Sequence, residues 1–397
     1  MNTALSTPDP RSRVHGSGKR SFRRRSLAPR RLMTYLREMK RTLSIFVIVA
    51  IGNGFCFDRN SVAEDLGADT SIDITLEWSQ APDGWRYPMA IHVPEGDAPA
   101  TGLPVCILLH GNGGNGAAML PGFVGLFPCH ALVAPSGYAA SWNICGEGSD
   151  APDVEMISAL VEQLQTFDNI DPNRIRILGV SNGSALANRV FIENDNPGID
   201  RIAAVVSQLV TAQHHEGDFF RPGGPTTRGA SFCGYDAQTE PITGRKYLGI
   251  CNENDSIIPY SGGPGPGGLV FIEAREAAWL VARSQGHEGG PIPGSGERVG
   301  RSNVFAYEYL DGRVVHLRGD AGHGMNGTQR QFIRMFFDGC ALPPPCPPDF
   351  NGDGQVNGAD LGLLAAAWKT PAGDLDGDGT TGGSDVGLLL AAWGKCP

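Results

Sequence analysis

The segment RIRILGVSNGSALANRV, residues 174–190, passes from an apolar strand-like run into a helix-like one through Gly179-Val180-Ser181-Asn182-Gly183. An ordinary turn needs one glycine or two. Glycines two residues to either side of a serine, at a strand-to-helix junction, describe a turn too tight for larger side chains, with the serine hydroxyl lifted above the sheet edge. The N-terminus of the following helix then lies behind the serine, and the backbone N–H of Asn182 points at any oxyanion formed on an attacked carbonyl. Five residues alone recur by chance. The strand before and the helix after make the pattern specific for acyl-transfer chemistry.

A serine hydroxyl is a poor nucleophile without a base. For this kind of elbow the chain order is serine, acid, histidine. The histidines downstream of Ser181 are 214, 215, 287, 316 and 323. His323 stands in GDAGHGMNG, a glycine-flanked loop after the last strand-like run, where the general base belongs. His316 in RVVHLRG reads as a strand side chain, His287 in SQGHEGG as a surface turn, and His214 and His215 in AQHHEGD as an exposed loop pair rather than metal ligands. YLGICNENDSIIPY ends a strand and offers Asp255 as the acid, with Glu253 as competitor. An acid there orients the imidazole and stabilises its protonated form. The second oxyanion donor is expected from LLHGNGGNG, where His110, Gly111 and Asn112 lie and where glycines let the backbone approach substrate. That loop lacks the Lys-Ser/Thr ending of a phosphate cradle. No cofactor is expected for catalysis.

Elements that could position these residues follow from apolar periodicity. SIDITLEW and WRYPMAIHVPEG read as strands joined by a turn at SQAPDG. LPVCILL, HALVAPSG, RIRILGV, IDRIAAVVSQLV and GRKYLGICNEND read as further, mostly buried strands. APDVEMISALVEQLQTF, SALANRVFI, FIEAREAAWLVARSQG and GTQRQFIRMFFDG read as helices, and NVFAYEYLDGRVVHLRG as a hairpin with a DG turn. Strands alternating with helices imply an α/β fold with a mostly parallel sheet covered on both faces, here with an antiparallel pair at the start.

The motifs LLHGNGG, SWN, DPNRIRILGVSNGS, NDSIIPYSGG and GHGMNG, in this order, resemble the secreted polyhydroxybutyrate-depolymerase and feruloyl-esterase branch of the α/β-hydrolases. The resemblance covers roughly residues 85–338. It implies an α/β-hydrolase fold and a carboxylic-ester hydrolase with Ser181, Asp255 and His323 as triad, and places Trp142 and Asn143 along the substrate cleft. Two departures stand out. Cys251-Asn252-Glu253 replaces the family's usual His-Gly-Thr before the acid, and Met325 stands where a tryptophan often follows the histidine. Both changes are expected at the cleft.

Near Ala341 the texture changes to ALPPPCPP, a stiff linker, and a duplicated unit follows. DFNGDGQVNGADLGLLAAAW and DLDGDGTTGGSDVGLLLAAW repeat with an offset of 374 − 349 = 25 residues. Each opens as a calcium loop. The ligand positions are Asp349, Asn351, Asp353, Gln355 through its carbonyl, Asn357 and Asp360 in one repeat, and Asp374, Asp376, Asp378, Thr380 and Asp385 in the other, with Gly382 leaving the ninth position to water. The tail resembles a type I dockerin over residues 349–396, which implies a small all-α unit, bound Ca²⁺ and a cohesin-like partner. Cys346 and Cys396 bracket the unit and are expected to clasp its ends.

The expected organisation is an N-terminal extension and signal segment over 1–62, a catalytic domain over 70–340, a Pro-rich linker over 341–348 and the calcium-loop unit over 349–397. MKRTLSIFVIVAIGNGFC has a basic start at Met39 and a short apolar core, the form of a secretory signal rather than a stable membrane span. Residues 1–41 hold 12 of the 32 Lys+Arg and two of the 42 Asp+Glu, which leaves 20 basic and 40 acidic residues beyond them. Such a surface repels nucleic acid and anionic lipid. Of nine cysteines, eight remain if Cys56 leaves with the signal, a number suited to an oxidising compartment, and Cys106 with Cys129 is one candidate pair. The expected protein is a secreted or cell-surface serine esterase acting through an acyl-enzyme on polyester or polysaccharide-linked esters. A catalytically idle scaffold working through its tail, an acyltransferase and a serine peptidase are the alternatives.

Overall fold

The computed structural model describes residues 64–145, 147–300, 302–337, 348–351, 355–370, 373–376 and 379–395. The signal segment, Cys56, Cys346, Cys396 and the loop positions Asp353 and Asp378 lie outside the described residues.

The main sheet has nine strands. In chain order they are β1 (Met89–His92), β2 (Leu103–Leu109), β3 (Ala131–Pro135), β4 (Ile170–Val180), β5 (Ile199–Val205), β6 (Lys246–Asn252), β7 (Glu297–Arg298), β8 (Phe305–Tyr309) and β9 (Val314–Gly319). Their spatial order is β7-β8-β9-β6-β5-β4-β2-β3-β1. The strands from β9 to β3 run parallel, β1 at one edge and β8 at the other run against them, and β7 pairs antiparallel with β8. The longer helices beside the sheet are α1 (Asp153–Leu164), α2 (Asn182–Glu193), α3 (Ala274–Ser284) and α4 (Gly327–Phe337).

Strand periodicity explains why both faces are covered. In β2, Val105, Ile107 and Leu109 join one core with Ile157, Leu160 and Val161 of α1, Val190 and Phe191 of α2 and Leu280 and Val281 of α3. The alternate residues Cys106 and Leu108 join a second core with Phe123, Phe127 and Ile333, Phe336 and Phe337 of α4. Successive side chains point to opposite faces, so an unbroken apolar strand needs helices on each side. A mixed sheet with helices on both faces fits the expected α/β-hydrolase architecture.

Several local expectations are corrected. The turn read at SQAPDG is shorter: Thr75–Trp78 and Ala81–Arg86 pair antiparallel as a separate two-stranded sheet with Trp78 opposite Ala81. His214 and His215 are not an exposed loop pair. They form a half-buried strand that pairs with Asp218–Pro222, which in turn pairs with Tyr235–Thr239. Alternation there is too short to read. Cys106 is a free, buried thiol, and Cys129 is disulfide-bonded elsewhere. Register is the reason: Leu132 sits opposite Cys106, so Cys129 lies three residues further along, about 10 Å at strand rise, beyond disulfide reach. One bridge joins Cys145 and Cys233, with Cα atoms 5.5 Å apart.

The tail carries α5 (Gly358–Ala366) and α6 (Gly383–Ala391) around a small core of Val356, Leu364 and Leu389. It is not all-α, because Gln355–Val356 pairs antiparallel with Gly394–Lys395. The aspartate at the twelfth loop position is a hub in each repeat. Asp360 accepts from the N–H of Phe350, Asn351 and Asn357, and Asp385 from the N–H of Leu375, Asp376 and Gly382. Desolvation pushes the Asp360 pKa up, but these backbone N–H groups together outweigh it and hold the carboxyl below its ordinary pKa.

Candidate active site

Ser181 sits between β4 and α2 with φ +57° and ψ −118°, a conformation that side-chain-bearing residues avoid and that costs about 1–3 kcal/mol. The flanking glycines are required by main-chain contact. A Cβ on Gly179 would lie 2.0 Å from the Gly183 carbonyl oxygen, and one on Gly183 would lie 2.1 Å from the Leu109 carbonyl oxygen at the end of β2. The serine N–H is anchored across the sheet by the Val205 carbonyl at 2.9 Å.

His323 and Asp255 converge on this serine from the loops after β9 and β6. His323 Nε2 lies 2.8 Å from Ser181 Oγ, and His323 Nδ1 lies 2.8 Å from Asp255 Oδ2. The Asp255 side chain is 2% exposed. Its other oxygen accepts the N–H of Ile257 at 2.8 Å and of Ile258 at 3.1 Å, so one carboxylate orientation is fixed. Glu253, the competing acid, turns away: it pairs with Arg318 at 2.9 Å and is 55% exposed.

The histidine loop is held by residues that sequence reading passed over. Asn252 is buried at the end of β6, donates its amide N–H groups to the carbonyls of Gly322 (2.7 Å) and Gly324 (3.0 Å), and accepts from Gln329 (2.8 Å). Asn254 donates to the Asp320 carbonyl at 2.7 Å and accepts the Gly322 N–H at 2.8 Å. The Cys251-Asn252-Glu253 departure was expected at the cleft. Cys251 and Asn252 instead lie beneath it, and Met325 packs against the second core. The signal available in the sequence was the pair of amides three and one residues before Asp255.

Gly111 and Asn112 lie beside the nucleophile, with the Cβ position of Gly111 3.4 Å from Ser181 Cβ. The loop is shaped by His110, whose Nε2 accepts the Gly137 N–H at 3.0 Å, which leaves its Nδ1–H to donate to the Gly111 carbonyl at 2.8 Å. Burial lowers the His110 pKa and keeps the ring neutral for this double role. Trp142 and Asn143 do not line the cleft. Trp142 is fully buried, gives its indole N–H to the His110 carbonyl at 2.8 Å and offers its backbone to the Asn182 side chain, through a 2.7 Å bond to Oδ1 and a 3.1 Å bond from Nδ2. Asn143 is buried against Asp153, Ala151 and Thr226. Both support the walls from behind. Asp153 receives the Asn143 N–H at 2.7 Å and the Tyr87 hydroxyl at 3.2 Å, and burial lifts its pKa to about 7.

The resulting cleft has a volume of about 630 Å³ and opens onto Ser181, Asn182, Gly111, Asn112 and His323, with Ile144, Ile258 and Leu269 as apolar wall. A nucleophile, its base, an orienting acid and two backbone segments face one space, the arrangement that attacks and stabilises a carbonyl. In the tail, Asp374, Asp376 and Asp385 bring carboxylate oxygens within 4.8 Å of one another, a donor set of the hard type that suits Ca²⁺. Among the described residues no helix is long and apolar enough to cross a membrane.

No protein-family model and no curated protein matches the chain. Solved structures with a similar path include a carboxylesterase from Bacillus cereus, at 13% identity and a TM-score of 0.42, covering 64% of this chain and 93% of that one. An acetyl xylan esterase from Aspergillus awamori has 13% identity and a TM-score of 0.43, covering 62% and 93%. A phospholipase/carboxylesterase from Dyadobacter fermentans has 12% identity and a TM-score of 0.40, covering 63% and 96%. These similarities are too distant to carry an inference about activity.

Proposed function

We propose that the chain is a serine carboxylic-ester hydrolase. The observation that carries this reading is the unbroken Ser181–His323–Asp255 hydrogen-bonded relay at the floor of a cleft. His323 Nε2 takes the Ser181 proton as Oγ attacks the ester carbonyl. The backbone N–H of Asn182 and the Gly111–Asn112 segment donate to the oxyanion. The His323 imidazolium, held by Asp255, returns the proton to the leaving alcohol, and an acyl-serine remains. Water, deprotonated by the same imidazole, then releases the acid. An idle scaffold has no use for an intact relay under strain at Ser181. Acyl transfer and peptide hydrolysis share the first step and differ in the acceptor or the scissile bond. A fluorophosphonate probe tests the reading: one label per chain at Ser181, absent from Ser181→Ala, supports it, and no label on folded protein overturns it.

Substrates of the polyester or polysaccharide-linked class accord with a cleft of mixed apolar and polar wall. Secretion accords with the signal-like segment at Met39 and with the Cys145–Cys233 bridge. For the tail we propose two Ca²⁺ sites: Asp349, Asn351, Gln355, Asn357 and Asp360 with Asp353 in one loop, and Asp374, Asp376, Thr380 and Asp385 with Asp378 in the other. The cation offsets the mutual repulsion of these carboxylates. A cohesin-like partner fits the exposed apolar residues Leu363, Trp368, Leu388 and Trp393, which are equivalent across the 25-residue repeat.

A further inference from the structure

We infer that the substrate is an extended ester, one arm of which crosses from the catalytic cleft into a second, adjoining cavity. This rests on the hydrolase reading above. The second cavity has a volume of about 610 Å³ and shares Arg228, Gly267 and Leu269 with the cleft, so the two spaces lie on either side of the same three residues. The catalytic cleft alone, at about 630 Å³, has room for a compact ester. A ligand that fills both must be long.

The second cavity is built rather than incidental. Its wall carries the Cys145–Cys233 bridge, which ties the segment bearing Ile144 and Glu147 of the cleft to the loop bearing Arg228 and Phe232. Glu147 accepts the N–H groups of Ile144 (2.8 Å) and Cys145 (2.5 Å), which locks the same corner. Phe232 and Cys233 both take positive φ, +47° and +56°, a conformation that the bridge helps to retain. Phe232 is 40% exposed, yet its ring is fixed: it lies flat on His215 with centroids 3.8 Å apart, and His215 lies on Phe220 at the same spacing. Val270, 43% exposed, also lines this cavity. A rigid aromatic plate and an aliphatic side chain facing a cavity gain by being covered with an apolar or flat group. Between the two spaces stands Arg228, which makes no ion pair or hydrogen bond among the described residues. Its guanidinium suits an oxygen acceptor on the passing arm. The arm therefore carries an acceptor such as a second ester carbonyl, followed by an apolar or aromatic unit.

The test uses the full chain and two soluble series: p-nitrophenyl esters of increasing acyl length, and acetate esters of alcohols of increasing length and aromaticity. In one series kcat/KM should rise about tenfold, mainly through KM, once the arm is long enough to pass Arg228. Phe232→Ser and Val270→Ser, both at exposed positions, should each remove most of that rise and leave p-nitrophenyl acetate turnover within about twofold. No rise in either series, or a rise that survives both substitutions, overturns the inference while Ser181-dependent turnover of the short ester leaves the hydrolase reading standing. Absence of Ser181-dependent turnover of every ester overturns both.

Discussion

Asn252 grips the backbone on both sides of His323. Its amide donates to the carbonyls of Gly322 and Gly324, at 2.7 and 3.0 Å, from a buried position at the end of β6. The base of the relay is thus placed by the strand that also launches its acid. Asn252→Ala removes both bonds and leaves Gln329 without its acceptor. We expect kcat to fall by about 10²-fold with KM little changed, because a displacement near 1 Å at a reacting group costs that much. Stability should drop by about 1–3 kcal/mol for the unsatisfied buried groups. Urea denaturation and steady-state kinetics measure the two effects separately. A normal kcat in the folded variant would show that the loop holds itself.

Asp255→Asn keeps the shape of the acid and removes its charge. The amide can still sit against His323, but the tautomer with its proton on Nδ1 is no longer favoured. Turnover of a chromogenic ester should fall on the order of 10⁴-fold, with folding intact by circular dichroism. Glu253→Gln, which breaks only the surface pair with Arg318, should change turnover by less than twofold.

Stability should depend on pH most strongly through two histidines and one aspartate. Burial lowers His130 and His316 from 6.5 to about 3, so the folded state binds fewer protons than the unfolded one across that window. Their contribution is present above 6.5 and lost as pH falls, at about 1.4 kcal/mol per pH unit for each. Asp153, raised from 3.8 to about 7, acts in the opposite sense: its contribution is full below 3.8 and is lost as pH rises to 7. The expected outcome of urea titrations between pH 4 and 6 is a net loss on acidification. His316→Gln should lessen that slope by about 1.4 kcal/mol per pH unit. An unchanged slope would mean that His316 titrates alike in both states.

Calcium should order the tail. Calorimetry on the full chain should give two sites, and Asp374→Ala with Asp385→Ala should leave one. Asp385→Ala also deletes the hub that accepts from Leu375, Asp376 and Gly382, so local stability should fall even without the cation. Zero heat with wild-type protein would reject the loop assignment.

Apolar runs and turn chemistry made the sheet and its helices legible. The strands of the parallel core are buried on both faces and read as continuous apolar stretches, and the DG hairpin between β8 and β9 bends where Leu310, Asp311 and Gly312 take positive φ. The serine, acid and histidine could be named because the elbow constrains their order. The clamps could not. Asn252 and Asn254 act through backbone groups far along the chain, and His110 through the Gly137 N–H as well as its neighbour Gly111, and no local pattern encodes a partner 70 positions distant. Trp142 was misplaced because the resemblance set the SWN motif on the cleft, while its indole N–H is spent on the His110 carbonyl inside the core. Cysteine pairing failed where strand register, invisible in the sequence, decides reach.

The tight stacking of Gly183 on the Leu109 carbonyl, and of Gly179 on Gly183, has a consequence for how this protein can be altered. These main-chain contacts set where the backbone of Ser181 stands. Re-engineering of selectivity can therefore repaint the surrounding groove freely, residue by residue, with no need to re-aim the chemistry, so long as those two positions stay without a side chain.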